Sequence, residues 1–206
     1  MKILYVAASP VPSKAANSVH VVKMAQALAH NGHQVELMVP VPLAKQGHLD
    51  VPVYEFYGVE NNFRFTQKAL WPTKLGMLFY ALQATIKAYL SGASFVFTRC
   101  LPTAFVATSL GIKTLYERHS DFGAERFLNR RMYAWLARSP KHLGTVVVSQ
   151  ALKENFHEEF AVPSEKVIVA ADGSDPLPSL TMPSPFEKPE GRLAAGYIGH
   201  LYKGRG

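Results

Sequence analysis

The sequence has little of what marks a disulfide-bonded, metal-binding or membrane-spanning protein. Cys100 is the single cysteine, so neither an intrachain disulfide nor a cysteine-rich zinc site can form. No segment reaches the ~18 to 20 unbroken apolar residues that a membrane-spanning helix needs. Residues 1–8 run directly into Ser9 and Pro10, so they are more typical of a buried strand than of a signal peptide. We therefore expect a cytoplasmic location, which includes the alternative of peripheral attachment to the inner face of the membrane.

Glycine is missing from the first strand-to-helix loop, because no glycine precedes Gly32. This excludes the G-x-G-x-x-G dinucleotide fingerprint there, and the chain also has no G-x-x-x-x-G-K-[ST] motif. A standard NAD site and a P-loop are not expected, which leaves an oxidoreductase as a remote alternative. The loop does contain Ser9, Asn17 and Ser18 at the start of a helix. Free N–H groups there could hold an anion, but a loop that only caps its own helix explains the same residues.

Acidic residues are missing between Glu60 and Glu117. The chain carries 22 Lys and Arg against 15 Asp and Glu, a net charge of +7. The acid-free stretch supplies six basic residues: Arg64, Lys68, Lys74, Lys87, Arg99 and Lys113. Such a patch attracts a phosphorylated substrate or an anionic membrane, although a solvated basic face without a partner is an equal explanation. Nucleic acid is not expected, since no nucleic-acid-binding motif is present.

The composition is that of a globular domain, with 48% apolar and 18% charged residues in 206. Strand patterns occupy 2–7, 34–39, 53–56, 94–98, 113–117, 145–148 and 166–170, and helical patterns occupy 19–30, 73–90, 103–110, 124–138 and 150–158. This alternation predicts an α/β fold with a doubly wound, Rossmann-like parallel sheet. Ligands then bind beyond the carboxyl ends of the strands.

The long helix at 73–90 has a predicted cap at each end, Thr73 and Gly92, and Asn17 or Ser18 is expected to cap the first helix. The apolar stripe of the 73–90 helix is expected to pack on the sheet. It consists of Leu75, Leu78, Phe79, Leu82, Ile86 and Leu90. The alternative is contact with a membrane interface, through Trp71, Phe79 and Tyr80 near Lys68 and Lys74.

His119 is the candidate catalytic residue, because it follows a strand end and therefore lies in the expected ligand crevice. Glu117 shares its side of the extended chain and could orient or charge it. The alternative is that a histidine at this place has no function. The predicted acceptor or cleft residues at the same edge are Ser9, Asn17, Ser18, Arg99 and Glu117. We assign no metal.

Proline marks a change in the chain after residue 175. We predict a Rossmann-like domain over 1–175 and a Pro-rich linker over 176–192. Residues 193–199 then form a new buried-strand pattern, followed by 200–206. One strand cannot bury itself, so we interpret 193–206 as the start of a truncated second domain.

Several short segments together carry a family resemblance, namely Lys2-Ile3-Leu4-Tyr5-Val6, Asn17-Ser18, Asn31-Gly32-His33-Gln34-Val35, Phe95-Val96-Phe97-Thr98-Arg99, Glu117-Arg118-His119, Val147-Val148-Ser149, Asp172-Gly173-Ser174-Asp175 and the tail from Gly196 to Gly206. In this order and spacing they resemble the GT-B retaining glycosyltransferases that use nucleotide-sugar donors. The resemblance spans the whole chain and depends on the order and spacing of the segments. It implies two facing Rossmann-like domains, with an N-terminal acceptor side and a C-terminal donor side.

The resemblance also implies roles for residues. His119 matches the cleft histidine near the transferred sugar. Asn17 and Ser18 stand where many members have paired glycines near the donor phosphates, and His200 and Arg205 stand where members hold the donor pyrophosphate. The paired donor-side glutamates would lie beyond residue 206, so we expect negligible transfer by this chain alone. Implied partners are a nucleotide-sugar and an acceptor that is lipid-linked or phosphorylated, with no metal cofactor.

A second hypothesis is a non-catalytic α/β module that binds an anionic ligand and has a disordered Pro-rich end. The two hypotheses differ in what they predict for 193–199. If those residues pair as a strand of the main sheet, the interpretation as a truncated second domain weakens.

Overall fold

Strands and helices alternate along the chain in a computed structural model that describes residues 1–41, 52–70, 73–122 and 127–176, with Gly191. The strands are β1 Lys2–Val6, β2 Gln34–Pro40, β3 Arg64–Lys68, β4 Phe95–Thr98, β5 Thr114–Arg118, β6 His142–Val147 and β7 Val167–Val169. The helices are α1 Ala16–His30, α2 Val53–Tyr57, α3 Lys74–Ser91, α4 Leu101–Ser109, α5 Phe127–Arg138 and α6 Gln150–Phe160. Met1–Asp172 form one compact unit and Gly173–Gly206 a second.

All seven strands pair in parallel, in the order β3-β2-β1-β4-β5-β6-β7. Leu4 of β1 aligns with Glu36 of β2 on one side and Val96 of β4 on the other. The predicted doubly wound, Rossmann-like α/β fold is therefore confirmed. The strand order reverses between β1 and β4, and in sheets of this kind ligands are expected beyond the carboxyl ends of the strands at such a reversal.

Alternate side chains of β1 pack in two different hydrophobic clusters, as expected for a central strand with helices on both faces of the sheet. Ile3 and Tyr5 pack in the cluster that contains Val22 of α1. Leu4 and Val6 pack in the cluster that contains buried residues of α3. A third cluster joins α5 and α6 through tilted and edge-on aromatic rings of Phe122, Tyr133, Phe156 and Phe160.

Helix α3 contacts the sheet through the side opposite to the predicted one. The six stripe residues are 40–78% exposed, whereas Tyr80, Ala81, Ala84 and Ala88 are buried. The expectation that the stripe packs on the sheet was therefore wrong. Small side chains let the helix axis approach the strands closely, and the single O–H of Tyr80 is shared between the carbonyls of Ala7 (2.8 Å) and Met38 (3.1 Å). Tyr80 is thus a core residue rather than a membrane contact.

The third predicted strand was also wrong. Val53–Tyr57 form the short helix α2, which ends at Gly58 in the left-handed conformation (φ 57°). The actual third strand is β3, in the segment 61–72 that carried no strand prediction. It is an edge strand with exposed or half-exposed side chains, so it needs no apolar pattern.

The caps predicted at Thr73 and Gly92 are confirmed. Thr73 Oγ1 accepts from Gly76 N–H (2.9 Å), Ser149 Oγ accepts from Leu152 N–H (3.2 Å), and Gly92 ends α3 with φ 65°. Helix α1 starts earlier than predicted, at Ala16, without a side-chain cap. Trp71, the start of the 124–138 helix, most of the 176–192 linker and residues 193–206 lie outside the described residues. None of the described helices combines the length and apolar character that a membrane crossing requires.

Candidate functional site

Glu117 is the centre of the candidate site. It lies near the end of β5, next to the reversal of strand order, and only 3% of its side chain is exposed. Its side chain lies on the sheet face that α1 covers. This is shown by Tyr5, which packs against α1 and donates a hydrogen bond to Glu117 Oε2 at 3.3 Å. A carboxylate this deeply buried needs partners, because desolvation strongly disfavours an unpaired charge.

Two histidines contact the same oxygen of Glu117. His119 Nε2 lies 2.5 Å from Glu117 Oε1, and His20 Nε2 lies 2.8 Å from it. The two rings meet edge-to-face with centroids 5.0 Å apart. The predicted pairing of Glu117 with His119 is thus present. His20 was not among the predicted site residues. It lies on α1, one turn after the helix begins at Ala16. The available signal for His20 was this position at the start of the helix that follows the first strand-to-helix loop.

A second carboxylate lies on the far side of both imidazoles. Asp172, which is 57% exposed, places its oxygens 3.5 Å from His20 Nδ1 and 3.8 Å from His119 Nδ1. Asp172 was not among the predicted site residues, although it opens the segment 172–175 that contributed to the family resemblance. The histidines are 20% and 24% exposed, so they form the boundary between the buried Glu117 and solvent.

Arg99 brings a fixed positive charge to the site. It follows β4, and its Nε lies 3.9 Å from Glu117 Oε1. Its Nη1 atom is buried and meets no hydrogen-bond acceptor among the residues that the structure describes. A guanidinium donor without an acceptor is costly to bury, so this nitrogen is suited to an anionic ligand oxygen.

The pKa of Glu117 shows how these contacts act together. Burial alone raises the pKa, but the hydrogen bond from His20, the charge of Arg99 and the hydrogen bond from His119 outweigh it and hold the pKa below its usual value. The carboxylate is therefore ionised at neutral pH. Since a carboxylate only accepts hydrogen bonds, Nε2 carries the proton on both rings. Each Nδ1 is left as a hydrogen-bond acceptor on the side of the ring that faces Asp172.

The same three side chains could also hold a metal ion. One ligand atom from each of His20, Glu117 and His119 lies within 4.8 Å of the others. Two imidazoles and a carboxylate are a set that binds zinc. The hydrogen bonds to Glu117 account for the same short distances without a metal.

The first loop is held by side chains in place of glycines. Ser18 is buried and donates from Oγ to the Pro10 carbonyl at 2.7 Å. Gln67 donates to the Val11 carbonyl at 2.9 Å, and the Tyr57 hydroxyl bonds the backbone of Ser13. Of the other predicted cleft residues in this segment, Ser9 is buried and Asn17 is exposed. His200 and Arg205 lie outside the described residues.

The basic residues of the acid-free stretch do not form one patch. Arg99 lies at the carboxyl-edge site. Arg64, Lys68 and Lys87 line a separate groove beside α3. The predicted positive face is therefore divided between two places with different neighbours.

Solved structures with the same architecture were found by comparison. A glycosyltransferase from Rickettsia africae ESF-5 matches with a TM-score of 0.58 and 17% identity, over 84% of this chain and 43% of that one. UDP-GlcNAc 2-epimerase from Neisseria meningitidis, bound to UDP-GlcNAc, matches with a TM-score of 0.58 and 14% identity, over 82% and 46%. MurG from Acinetobacter baumannii matches with a TM-score of 0.50 and 13% identity, over 85% and 47%.

At these identities the structural matches establish the fold alone, and the chain spans under half the length of these proteins. A comparison with curated protein sequences finds no match. The sequence profile of Glycosyltransferase Family 4, however, matches residues 18–176, which is well over half of the 206 residues and includes His20, Arg99, Glu117 and His119. Since both the sequence profile and the Rossmann-like architecture agree, the chain belongs to Glycosyltransferase Family 4.

Proposed function

We propose that this chain is the acceptor-side domain of a retaining hexosyltransferase that transfers a sugar from a nucleotide-sugar donor to an acceptor. The observation that supports the proposal is the pair of imidazoles held by one buried, ionised carboxylate where the strand order reverses. Family membership supports the reaction class. UDP-sugars are the first donors to test, because a structural neighbour is bound to UDP-GlcNAc.

Each side chain has a role suited to its contacts. Glycosyl transfer develops positive charge on the sugar and negative charge on the leaving diphosphate. His119 is the proposed catalytic residue, and its Nδ1 would hydrogen-bond the reacting sugar or the acceptor hydroxyl. Glu117 and His20 are positioning residues that fix the ring and its tautomer. Arg99 would bind a phosphate of the acceptor or of the donor through Nη1. We assign no metal to this reaction.

Donor binding is proposed to depend mainly on groups outside residues 1–176. His200 and Arg205 would hold the donor pyrophosphate, and Ser9, Asn17 and Ser18 would border the cleft. The acceptor is proposed to be lipid-linked or phosphorylated. Because so much of the donor side would lie elsewhere, these 206 residues alone are expected to give negligible transfer. The cytoplasmic location stays a prediction.

The test is a transfer assay with UDP-GlcNAc and UDP-glucose, on the complete natural polypeptide that contains residues 1–206. His119→Ala should lower kcat/KM by about 10²- to 10⁴-fold, the range for a general acid or base. His30→Ala, an exposed histidine paired with exposed Glu60, is the matched control and should leave the rate unchanged. EDTA should also leave it unchanged, and proton NMR should show the donor's anomeric configuration in the product.

Three results would count against the proposal. Full activity of His119→Ala would contradict the catalytic role of His119. Inversion of the anomeric centre would contradict a retaining mechanism. Transfer by the 206-residue chain at the rate of the intact enzyme would contradict its assignment as an acceptor-side domain only. The second candidate, a non-catalytic module for an anionic ligand, is favoured only by the orphaned Arg99 Nη1. It predicts anion binding that Arg99→Gln abolishes, with no sugar transfer in any form of the protein.

A further inference from the structure

Helix α3 presents its large apolar side chains to solvent. Leu78, Leu82 and Ile86 are 40–50% exposed, and Leu75, Tyr89 and Leu90 are 77–78% exposed. Their spacing of three and four residues places these six side chains on one stripe, which we call the outer face of α3. The opposite side, with Tyr80, Ala81, Ala84 and Ala88, already packs against the sheet. Helices of globular proteins normally bury the large apolar side, so a contiguous exposed stripe marks a binding surface.

A basic groove adjoins this outer face. It has a volume of about 680 Å³, lies between α3 and the strands β2 and β3, and shares Ile86 and Leu90 with the stripe. Its cationic side chains are Lys2, Arg64, Lys68 and Lys87, and its single acidic lining residue is Glu36.

Glu36 does not cancel the charge of the groove toward a ligand. It is 8% exposed, and its Oε1 already accepts from Lys87 Nζ at 2.8 Å and from Thr66 Oγ1 at 2.5 Å. The hydrogen bonds from Lys87 and Thr66 and the charges of Lys87 and Arg64 hold its pKa below the ordinary value against the effect of burial. The Arg64 side chain is 77% exposed and Lys68 is exposed as well, so both can meet an external anion.

We propose that the outer face of α3 and the basic groove beside it dock the chain onto an anionic lipid bilayer. The apolar side chains enter the boundary between headgroups and acyl chains, and the groove cations contact headgroup phosphates. Charge complementarity favours this occupant over a second copy of the chain, because pairing two outer faces brings two positively charged grooves together. The proposal needs neither a nucleotide nor sugar transfer, so it stands independently of the proposed function.

The test is flotation of the 206-residue chain with phosphatidylcholine vesicles, with and without about 30 mol% phosphatidylglycerol. The chain should float with the anionic vesicles only, and high salt should weaken binding. Arg64→Gln/Lys68→Gln should weaken partitioning by about 25-fold, since each basic residue near an anionic surface contributes about fivefold. Lys87 is left unchanged because it holds Glu36.

Tyr89→Ser/Leu90→Ser removes two side chains that are 77% and 78% exposed, and it should abolish flotation without unfolding the chain. Phe127→Ser/Leu128→Ser on α5 is the matched control, with one aromatic and one leucine that are 72% and 63% exposed, and it should float normally. Circular dichroism checks that each variant is folded.

Absence of flotation, equal flotation with neutral vesicles, or equal losses in the two double variants would overturn the proposal. A concentration-dependent dimer in sedimentation without vesicles, abolished by Tyr89→Ser/Leu90→Ser, would assign the face to a second copy instead. These results would leave the proposed transfer reaction untouched.

Discussion

At the scale of single residues, the site is defined by how one carboxylate is shared. Glu117 Oε1 accepts from two imidazoles while Oε2 accepts from Tyr5, and Arg99 adds charge nearby. Such a network fixes ring orientation and tautomer only while the carboxylate is ionised. Both the stability of the fold and the geometry of the site therefore depend on whether Glu117 is protonated.

Glu117→Gln tests this dependence. The neutral amide leaves Arg99 and the imidazoles without their charged acceptor, so the free energy of unfolding at pH 7 should fall by about 1–3 kcal/mol. The folded-state pKa of Glu117 lies below the unfolded value. Its contribution is therefore present above the unfolded pKa and is lost as pH falls through the folded pKa. Urea unfolding should show the difference between variant and wild type shrinking as the solution is acidified.

Glu165→Gln, at an exposed position, is the control and should differ from wild type by less than about 0.5 kcal/mol. A pH-independent loss in Glu117→Gln would mean that shape rather than charge is responsible.

At the scale of elements, the sequence predicts most of the architecture but not the orientation of α3. Periodicity locates five of the six helices and six of the seven strands, because buried strands and capped helices leave apolar patterns and cap residues, whereas the short α2 was predicted as a strand. It misplaces the exposed side of α3, since an apolar stripe indicates burial against something without saying what. It also misses β3, whose edge position requires no apolar alternation.

A similar reason limits prediction of the site. Glu117 and His119 are two residues apart on one strand end, so their contact follows from strand geometry. His20 is 97 residues from Glu117, and only the tertiary fold, in which α1 packs on the sheet face that carries Tyr5 and Glu117, brings them together. Asp172 joins from beyond β7 for the same reason.

A pair of substitutions in α3 tests its observed orientation. Ala84 is fully buried against the sheet, so Ala84→Leu should overpack the core and lower the free energy of unfolding by about 1–3 kcal/mol. Leu82 is 40% exposed, so Leu82→Ala should change it by no more than about 0.5 kcal/mol. Urea unfolding of both variants measures this. If the stripe packed on the sheet, Leu82→Ala would instead lose about 2–5 kcal/mol.

At the scale of the whole molecule, the two surfaces proposed to be functional lie on one sheet. The carboxyl edge carries the histidine–carboxylate network, and the flank of β2, β3 and α3 carries the apolar face and basic groove. The stability of the whole unit also depends on pH, because several of its titratable groups are buried. Glu36 and Glu117 have lowered pKa values and stabilise the fold above the acidic range.

His142 extends this acid sensitivity to milder pH. It is 2% exposed at the start of β6, with Nε2 3.0 Å from Thr145 Oγ1. Burial, with the nearby charge of Lys166, lowers its pKa from 6.5 to about 4. The unfolded chain therefore binds a proton between these values that the folded chain does not, so stability is complete above pH 6.5 and declines as pH falls toward 4.

The loss from His142 should be on the order of 3 kcal/mol between about pH 6.5 and pH 4, at 1.36 kcal/mol for each unit of pKa difference. His142→Gln removes this titration, so its unfolding free energy should depend much less on pH over that range, even if the variant is less stable at pH 7. His33→Gln, at a half-buried position, is the matched substitution for comparison, and an equal flattening of the slope in both variants would mean that the effect is not specific to His142. Urea unfolding at half-unit pH steps measures the slopes, and identical slopes in His142→Gln and wild type would show that protonation of His142 does not drive acid unfolding.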